Sequence, residues 1–282
     1  MTINEAIKNA ICELNKNEFI DSNIIAKELL CYTLSKNKQY LLINKDIELN
    51  DNELKNYKEK IVQIINGKPL QYITNKQEFM GYDFYVDENV LIPQPDTEII
   101  VGKVIDLCSN ISKQNENIEI LDLCTGSGAI AIALDKILNK DNNIKIYASD
   151  ISQKALEVAK KNAKNLDANV TFINSDMFEN INKKFDIIVS NPPYIETDII
   201  KTLAKDVQAE PRLALNGGDD GLKFYRIIAN NAYHYLKTNG KICFEIGYNQ
   251  NESVVNIFKE KYNKVQVFKD LSENYRCIIA EN

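Results

Sequence analysis

Asn191-Pro192-Pro193-Tyr194 follows directly on the apolar run Phe185-Asp186-Ile187-Ile188-Val189-Ser190. A strand that ends in a stiff, carbonyl-rich loop suits the task of holding a planar NH2 group. Each proline removes a backbone donor and fixes φ near about −65°, so the loop offers acceptors rather than donors. Asn191 adds a side-chain carbonyl at the carboxyl end of the strand, where open α/β sheets bind ligands. Tyr194 adds a flat face on which an amide or a base edge can lie. The alternative is an ordinary Pro-rich turn in which Asn caps and Tyr packs.

A second constellation lies upstream. The strand-like Ile118–Leu123 runs into Cys124-Thr125-Gly126-Ser127-Gly128-Ala129-Ile130-Ala131. Glycines at 126 and 128 let the backbone turn tightly and approach a ligand at a helix N-terminus. No Gly-Lys-Ser/Thr follows, so this is not a nucleoside triphosphate loop. Asp122, Asp150 and Asp176 fall at the ends of three successive strand candidates. Asp150 is placed to accept both hydroxyls of a ribose, and Asp176 to border an adenine pocket with Met177 as apolar cover. Helix capping is the competing reading for Asp150. The loop alone does not exclude a nicotinamide dinucleotide, but the acceptors at 191–194 have no evident use in hydride transfer. S-adenosyl-L-methionine, with a ribose, an adenine and a transferable methyl, fits both constellations.

These residues need elements to position them. From Asp96 onward, strand candidates at 118–123, 144–149, 170–175, 185–190, 240–246, 264–269 and 274–280 alternate with helices, the later ones at 220–237 and 249–261. That pattern predicts a mostly parallel, doubly wound sheet. The last two strands are close enough in sequence to pair antiparallel. Residues 1–70 read as helices. Ser22 is the expected N-cap for a helix carrying Ile24, Ile25, Leu29 and Tyr32, and Asn50–Glu53 forms a capping-box pattern before Leu54, Tyr57, Ile61 and Ile64. Gly67 and Pro69 mark the stop. Residues 71–95, with Phe79, Tyr82, Phe84 and Tyr85, read as a β-hairpin linker. The expected domains are 1–70, 71–95 and 96–282.

Composition narrows the class. Apolar residues at 44% and charged residues at 26% describe an ordinary globular protein. The longest apolar run, Ala129–Leu134, is far too short to span a membrane, and Met1–Glu5 does not read as a signal peptide. The six cysteines form no C-x-x-C pair, so a reduced, cytoplasmic protein is expected. The single histidine, His234, rules out a multi-histidine metal centre and has no triad partners nearby. The net charge is −6, and Arg212, Arg226 and Arg276 are the only arginines. Direct nucleic-acid binding is therefore not expected. In residues 1–70 lysines and carboxylates are equal in number, which leaves that module a packing extension or a partner-recognition domain.

The chain resembles the N5-glutamine methyltransferases over nearly its whole length. The resemblance rests on Gln71-Tyr72-Ile73, Glu78–Gly81, Val90–Glu98, Asp122–Ile130, Asn191–Ile195, Glu210-Pro211-Arg212-Leu213-Ala214-Leu215 and Gly217–Leu222. The Asn-Pro-Pro-Tyr loop is shared with enzymes that methylate adenine and guanine amino groups. The proline-rich Ile92–Glu98 and the Glu210–Leu215 stretch are more specific. The resemblance implies an α/β fold, the seven-stranded class I S-adenosylmethionine-dependent methyltransferase sheet, behind a helical N-terminal domain. It implies that Cys124, Thr125, Gly126, Ser127, Gly128, Asp150, Met177 and Asn191 line the cofactor site, with S-adenosyl-L-homocysteine as product and no metal. Asn191, Pro192, Pro193 and Tyr194 would hold the glutamine of a Gly-Gly-Gln tripeptide in class-1 peptide chain release factors, with Asn191, Pro192 and Tyr194 as catalytic residues. A ribosomal-protein glutamine methyltransferase, a DNA or RNA amino-methyltransferase and a catalytically silent binding protein are the alternatives. Three positions depart from the family pattern. Gln94 and Cys124 replace a common arginine and a common glycine, the latter at no cost if φ is negative. Glu273 stands where glycine is frequent.

Overall fold

The computed structural model describes residues 1–17, 19, 21–111, 117–139 and 143–281. They form two compact units, Met1–Asn75 with Ala204–Ala209, and Lys76–Leu203 with Glu210–Asn282. The expected linker 71–95 thus divides between them. The helix Leu70–Thr74 and Asn75 belong to the first unit, and residues 76–95 belong to the second.

The first unit is built from helices Ile3–Lys16, Ser22–Leu34, Lys38–Ile43, Asp51–Ile65 and Leu70–Thr74. Asn50 and Glu53 close the expected capping box, each bonding the other's backbone N–H at 2.9 Å. Ser22 is not an N-cap. It is the first helical residue, and its hydroxyl donates to the Phe19 carbonyl. The helix it opens buries Ala26, Leu29 and Leu30 and leaves Ile24 exposed. Tyr57 donates its hydroxyl to the Ala26 carbonyl at 2.9 Å, and Ile24, two positions before the buried Ala26, falls on the opposite face of the helix.

The second unit opens on a hairpin of two short strands, β1 (Gln77–Phe79) and β2 (Tyr82–Phe84). Met80 and Gly81 both have positive φ, as a two-residue type I′ turn requires. The hairpin is shorter than 71–95, since Leu70–Thr74 is helical and the second strand ends at Phe84. After Phe84 the backbone bonds instead to the Asn162 side chain.

Seven further strands form one sheet: β3 (Ile118–Leu123), β4 (Ile144–Asp150), β5 (Val170–Asn174), β6 (Phe185–Ser190), β7 (Leu236–Glu245), β8 (Lys264–Lys269) and β9 (Tyr275–Glu281). Their order is β5-β4-β3-β6-β7-β9-β8, parallel except for β9, which is antiparallel to both neighbours. The central strands β3 and β6 are buried along nearly their whole length, which is why their sequences read as continuous apolar runs. One face packs Ile120, Ile187 and Val189 against helices Glu98–Ile111 and Ala129–Leu138. The other packs Leu121, Ile188 and Phe244 against Tyr225, Ile228, Val254 and Phe258. The helix expected at 220–237 is shorter: an α-helix at Lys223–Asn231 gives way to a 3-10 turn at Ala232–Tyr235. β7 begins at Leu236 with a register shift, and Asn239 there has φ 63°. Among the described residues no helix is long and apolar enough to cross a membrane.

Glu273, in the β8–β9 turn, has φ 64°. A left-handed backbone costs a side-chain-bearing residue roughly 1–2 kcal/mol, whereas glycine loses roughly 0.5–1 kcal/mol more chain entropy on folding. The exposed Glu273–Lys269 contact at 3.3 Å offsets little of this. Glu273→Gly is therefore expected to raise the melting temperature by about 1–3 °C, read by thermal denaturation.

Candidate functional site

The chain leaves β3 toward β4 and β5 on one side, then crosses back so that β6 pairs with the other edge of β3. This is a topological switch point, where the loops after adjacent strands diverge and leave a crevice. Leu123 and Ser190 lie opposite each other as the last paired residues, and the Ser190 hydroxyl donates to the Leu123 carbonyl at 2.6 Å. The glycine loop and the Asn-Pro-Pro-Tyr loop therefore start side by side.

A cavity of about 180 Å3 opens there. Of the residues singled out in the sequence, Cys124, Gly126, Asp150, Asp176, Met177, Asn191 and Pro193 line it. Thr125, Ser127, Gly128, Pro192 and Tyr194 are not among its lining residues. The first three shape the glycine loop from behind. Thr125 is buried against Asp122, the Ser127 carbonyl accepts from Asn162, and Gly128, at φ 80°, starts helix Ala129–Leu138.

The carboxylates of Asp122 and Asp150 do different work. Asp122 is fully buried and turned away from the cavity: its Oδ2 accepts from Thr125 Oγ1 at 2.5 Å and the Ala131 N–H at 3.3 Å. Burial pushes its carboxyl up to about 7, against the pull of those donors. It braces the loop and does not face a nucleoside. Asp150 accepts the Gly126 N–H through Oδ2 and the Ser152 N–H through Oδ1, both at 2.9 Å. Each oxygen keeps a lone pair, enough for a vicinal diol. Burial raises the Asp150 carboxyl, and backbone donors oppose the shift. The helix after β4 is capped by Ser152, whose Oγ accepts the Ala155 N–H, so Asp150 is not its cap.

Cys124 has φ 64°, so this departure from glycine does carry a backbone cost. Its side chain forms part of the cavity wall, and its sulfur lies 3.8 Å from the Met177 sulfur. Burial keeps the Cys124 thiol neutral, well above its ordinary range. Gln94 donates to the Ile92 carbonyl at 3.0 Å.

Asn191 donates from Nδ2 to Thr97 Oγ1 at 3.1 Å, and Tyr194 donates to Glu245 Oε1 at 3.2 Å. Glu245 is buried, and its carboxyl is pushed up to about 7 by that burial, opposed by the Thr97 hydroxyl and the charge of Arg276. The Tyr194 carbonyl accepts from Gln250 Nε2 at 2.9 Å.

Sequence reasoning gave no site role to Val90, Leu91, Pro211, Leu213 and Ala214, which also line the cavity. They lie within Val90–Glu98 and Glu210–Leu215, two of the segments that carry the family resemblance. Glu210 Oε2 accepts the Ile92 N–H at 2.8 Å and ties those stretches into one wall. It also gave none to Gly217 and Gly221. A Cβ on Gly217 would lie 2.7 Å from the Tyr194 Cα, and one on Gly221 would lie 2.5 Å from the Tyr194 carbonyl oxygen. These glycines let one loop lie flat behind the other. Gly217→Ala is expected to destabilise the protein by about 1–3 kcal/mol, since rigid backbone must shift. Denaturant unfolding beside turnover would check it, with turnover falling as Tyr194 moves.

Comparison with known proteins bears on the same regions. Residues 104–276 match the family described as Methyltransferase small domain, and residues 5–74 match the PrmC N-terminal domain. The Thermus thermophilus 16S rRNA N2 G1207 methyltransferase, solved with AdoMet and guanosine, is 18% identical with a TM-score of 0.51, over 73% of this chain and 49% of that one. The sheet and its switch-point cleft have the class I S-adenosylmethionine-dependent methyltransferase fold. A release factor glutamine methyltransferase of Clostridium acetobutylicum is 38% identical over 99% of this chain and 98% of its own length. A bifunctional methyltransferase of Rickettsia felis is 39% identical over 99% of this chain, which spans only 58% of that protein. The chain belongs to the release factor glutamine methyltransferase family.

Proposed function

We propose that this protein transfers a methyl group from S-adenosyl-L-methionine to the side-chain amide nitrogen of the glutamine in the Gly-Gly-Gln motif of class-1 release factors. The observation that carries the reading is the Asn191 amide. Its NH2 is committed to Thr97, so its carbonyl Oδ1 remains as an acceptor beside a cavity bordered by Asp150 and Asp176.

The donor set fits the cofactor. Asp150 offers two carboxylate lone pairs to a ribose diol, Met177 and Cys124 offer soft apolar cover to an adenine, and the glycine loop allows close backbone approach. When bound, S-adenosylmethionine supplies an electrophilic sulfonium methyl.

An amide nitrogen is a poor nucleophile because its lone pair is shared with its carbonyl. Asn191 Oδ1 and the Pro192 backbone oxygen grip the two N–H bonds of the substrate glutamine and hold its nitrogen in line, a positioning effect. Both acceptors also stabilise the positive charge that develops on nitrogen. The methylated nitrogen is acidic enough to lose its proton to solvent, so no strong base is required. Tyr194 supplies the face against which the amide lies. Pro193 stiffens the loop.

The helical unit recognises the release factor, and a substrate of translation makes the cytoplasm the site of action. The low arginine content speaks against nucleic acid as substrate. The test is transfer of labelled methyl into purified release factors, ribosomal proteins, DNA and RNA in parallel. Label confined to the release-factor glutamine supports the reading. Label in a ribosomal protein or nucleic acid would replace it, and an absence of turnover would leave a binding protein.

A further inference from the structure

An asparagine amide can face a ligand with either end, and the two ends have opposite chemistry. Only the carbonyl end can grip an NH2 group. Nothing in Asn191 itself decides which end is presented, so the decision rests with whatever its other end touches. That neighbour is Thr97, whose Oγ1 lies 3.1 Å from Asn191 Nδ2 and 2.6 Å from Glu245 Oε2. A hydroxyl has one hydrogen. In its ionised form Glu245 only accepts, so the Thr97 hydrogen goes to Glu245, and the Thr97 oxygen then accepts from the Asn191 NH2. The same carboxylate takes the Tyr194 hydroxyl on its other oxygen at 3.2 Å.

One buried group therefore holds both functional side chains of the loop, the amide through Thr97 and the ring directly. Glu245 ends β7, beside β6, and Thr97 lies in the 3-10 turn Pro95–Thr97 within the family-specific proline-rich stretch. Thr97 and Glu245 are only 5% and 2% exposed. Arg276 and Asp96, themselves ion-paired at 2.8 Å, act on Glu245 through their charges. A carboxylate buried so deeply, with no direct ion pair among the described residues, is costly, and a packing role would be met by an apolar residue.

We infer that Thr97 and Glu245 are positioning residues that lock the Asn191 amide with its carbonyl toward the substrate NH2. This rests on the reading of Asn191 given above.

The experiment is a double-mutant cycle on the full-length protein, with a purified release factor and labelled S-adenosylmethionine. Cofactor affinity is measured separately by calorimetry. Thr97→Val keeps the shape and removes the hydroxyl, and is expected to lower kcat by about tenfold or more, the scale of one lost orienting hydrogen bond. Thr97→Ser should restore most of the rate. In an Asn191→Ala background, Thr97→Val should cost nothing further, because its effect runs through that amide. Glu245→Gln, whose own amide can present either end, acts on Asn191 through Thr97 and on Tyr194 directly, so it is compared in a Tyr194→Phe background. There its loss should be smaller than that of Thr97→Val and should vanish without Asn191, and it carries the cycle if Thr97→Val does not fold. Equal losses with and without Asn191, or an unaffected Thr97→Val, would overturn the inference while leaving the role of Asn191 intact. A fully active Asn191→Ala would instead overturn the reading beneath it, and the inference with it.

Discussion

Asn191→Ala is expected to lower the rate of methyl transfer to a release factor by about 10²–10³, the usual cost of one preorganised polar contact to a developing charge. The fold should survive, because Asn191 is only partly buried and its side chain bonds Thr97 alone among the described residues. Cofactor affinity should change far less than the rate, since the lost contact acts on the substrate nitrogen. Initial rates with labelled cofactor, beside calorimetric titration of the same variant, separate the two effects. Retention of more than roughly a third of the activity lies far outside that range and would sink the proposed role. A loss confined to cofactor affinity would move Asn191 from the reacting amide to the cofactor pocket.

Asp150→Ala is expected to weaken S-adenosylmethionine binding by about 1.5–3 kcal/mol, the scale of hydrogen bonds to a charged group. Asp150 also receives the Gly126 N–H, so the variant loosens the glycine loop as well as removing the diol acceptor. Asp150→Asn separates these contributions. It keeps one acceptor oxygen for the loop but cannot accept a pair of hydroxyls with both atoms, so its affinity should fall between wild type and alanine. Calorimetry showing unchanged affinity for Asp150→Ala would reduce this residue to a brace between Gly126 and Ser152.

The acid at the end of β3 shows where sequence reading stopped. Asp122 and Asp150 lie at the carboxyl ends of adjacent strands, and spacing did not say which way either side chain turns. The fold turns one inward under Thr125 and Ala131 and the other toward the cavity. Cys124 shows the same limit at the backbone. Whether replacing glycine costs anything there depends on the sign of φ, and the structure sets it at +64°.

The elements themselves were legible because their causes are local. The capping box at Asn50 and the apolar periods of β3 and β6 depend on residues a few places apart, and so did the expectation that the last two strands pair antiparallel. The stiffness of Asn191–Tyr194 is likewise a property of its own prolines. Tertiary structure alone decided what the loop is fastened to. Thr97 and Glu245 are 148 residues apart in sequence, and the glycines behind Tyr194 arrive from a separate loop. Placing β9 between β7 and β8 carries Arg276 to within electrostatic reach of Glu245. Hydrogen-bond direction and side-chain facing depend on strand order and register between distant segments, and no local pattern encodes those.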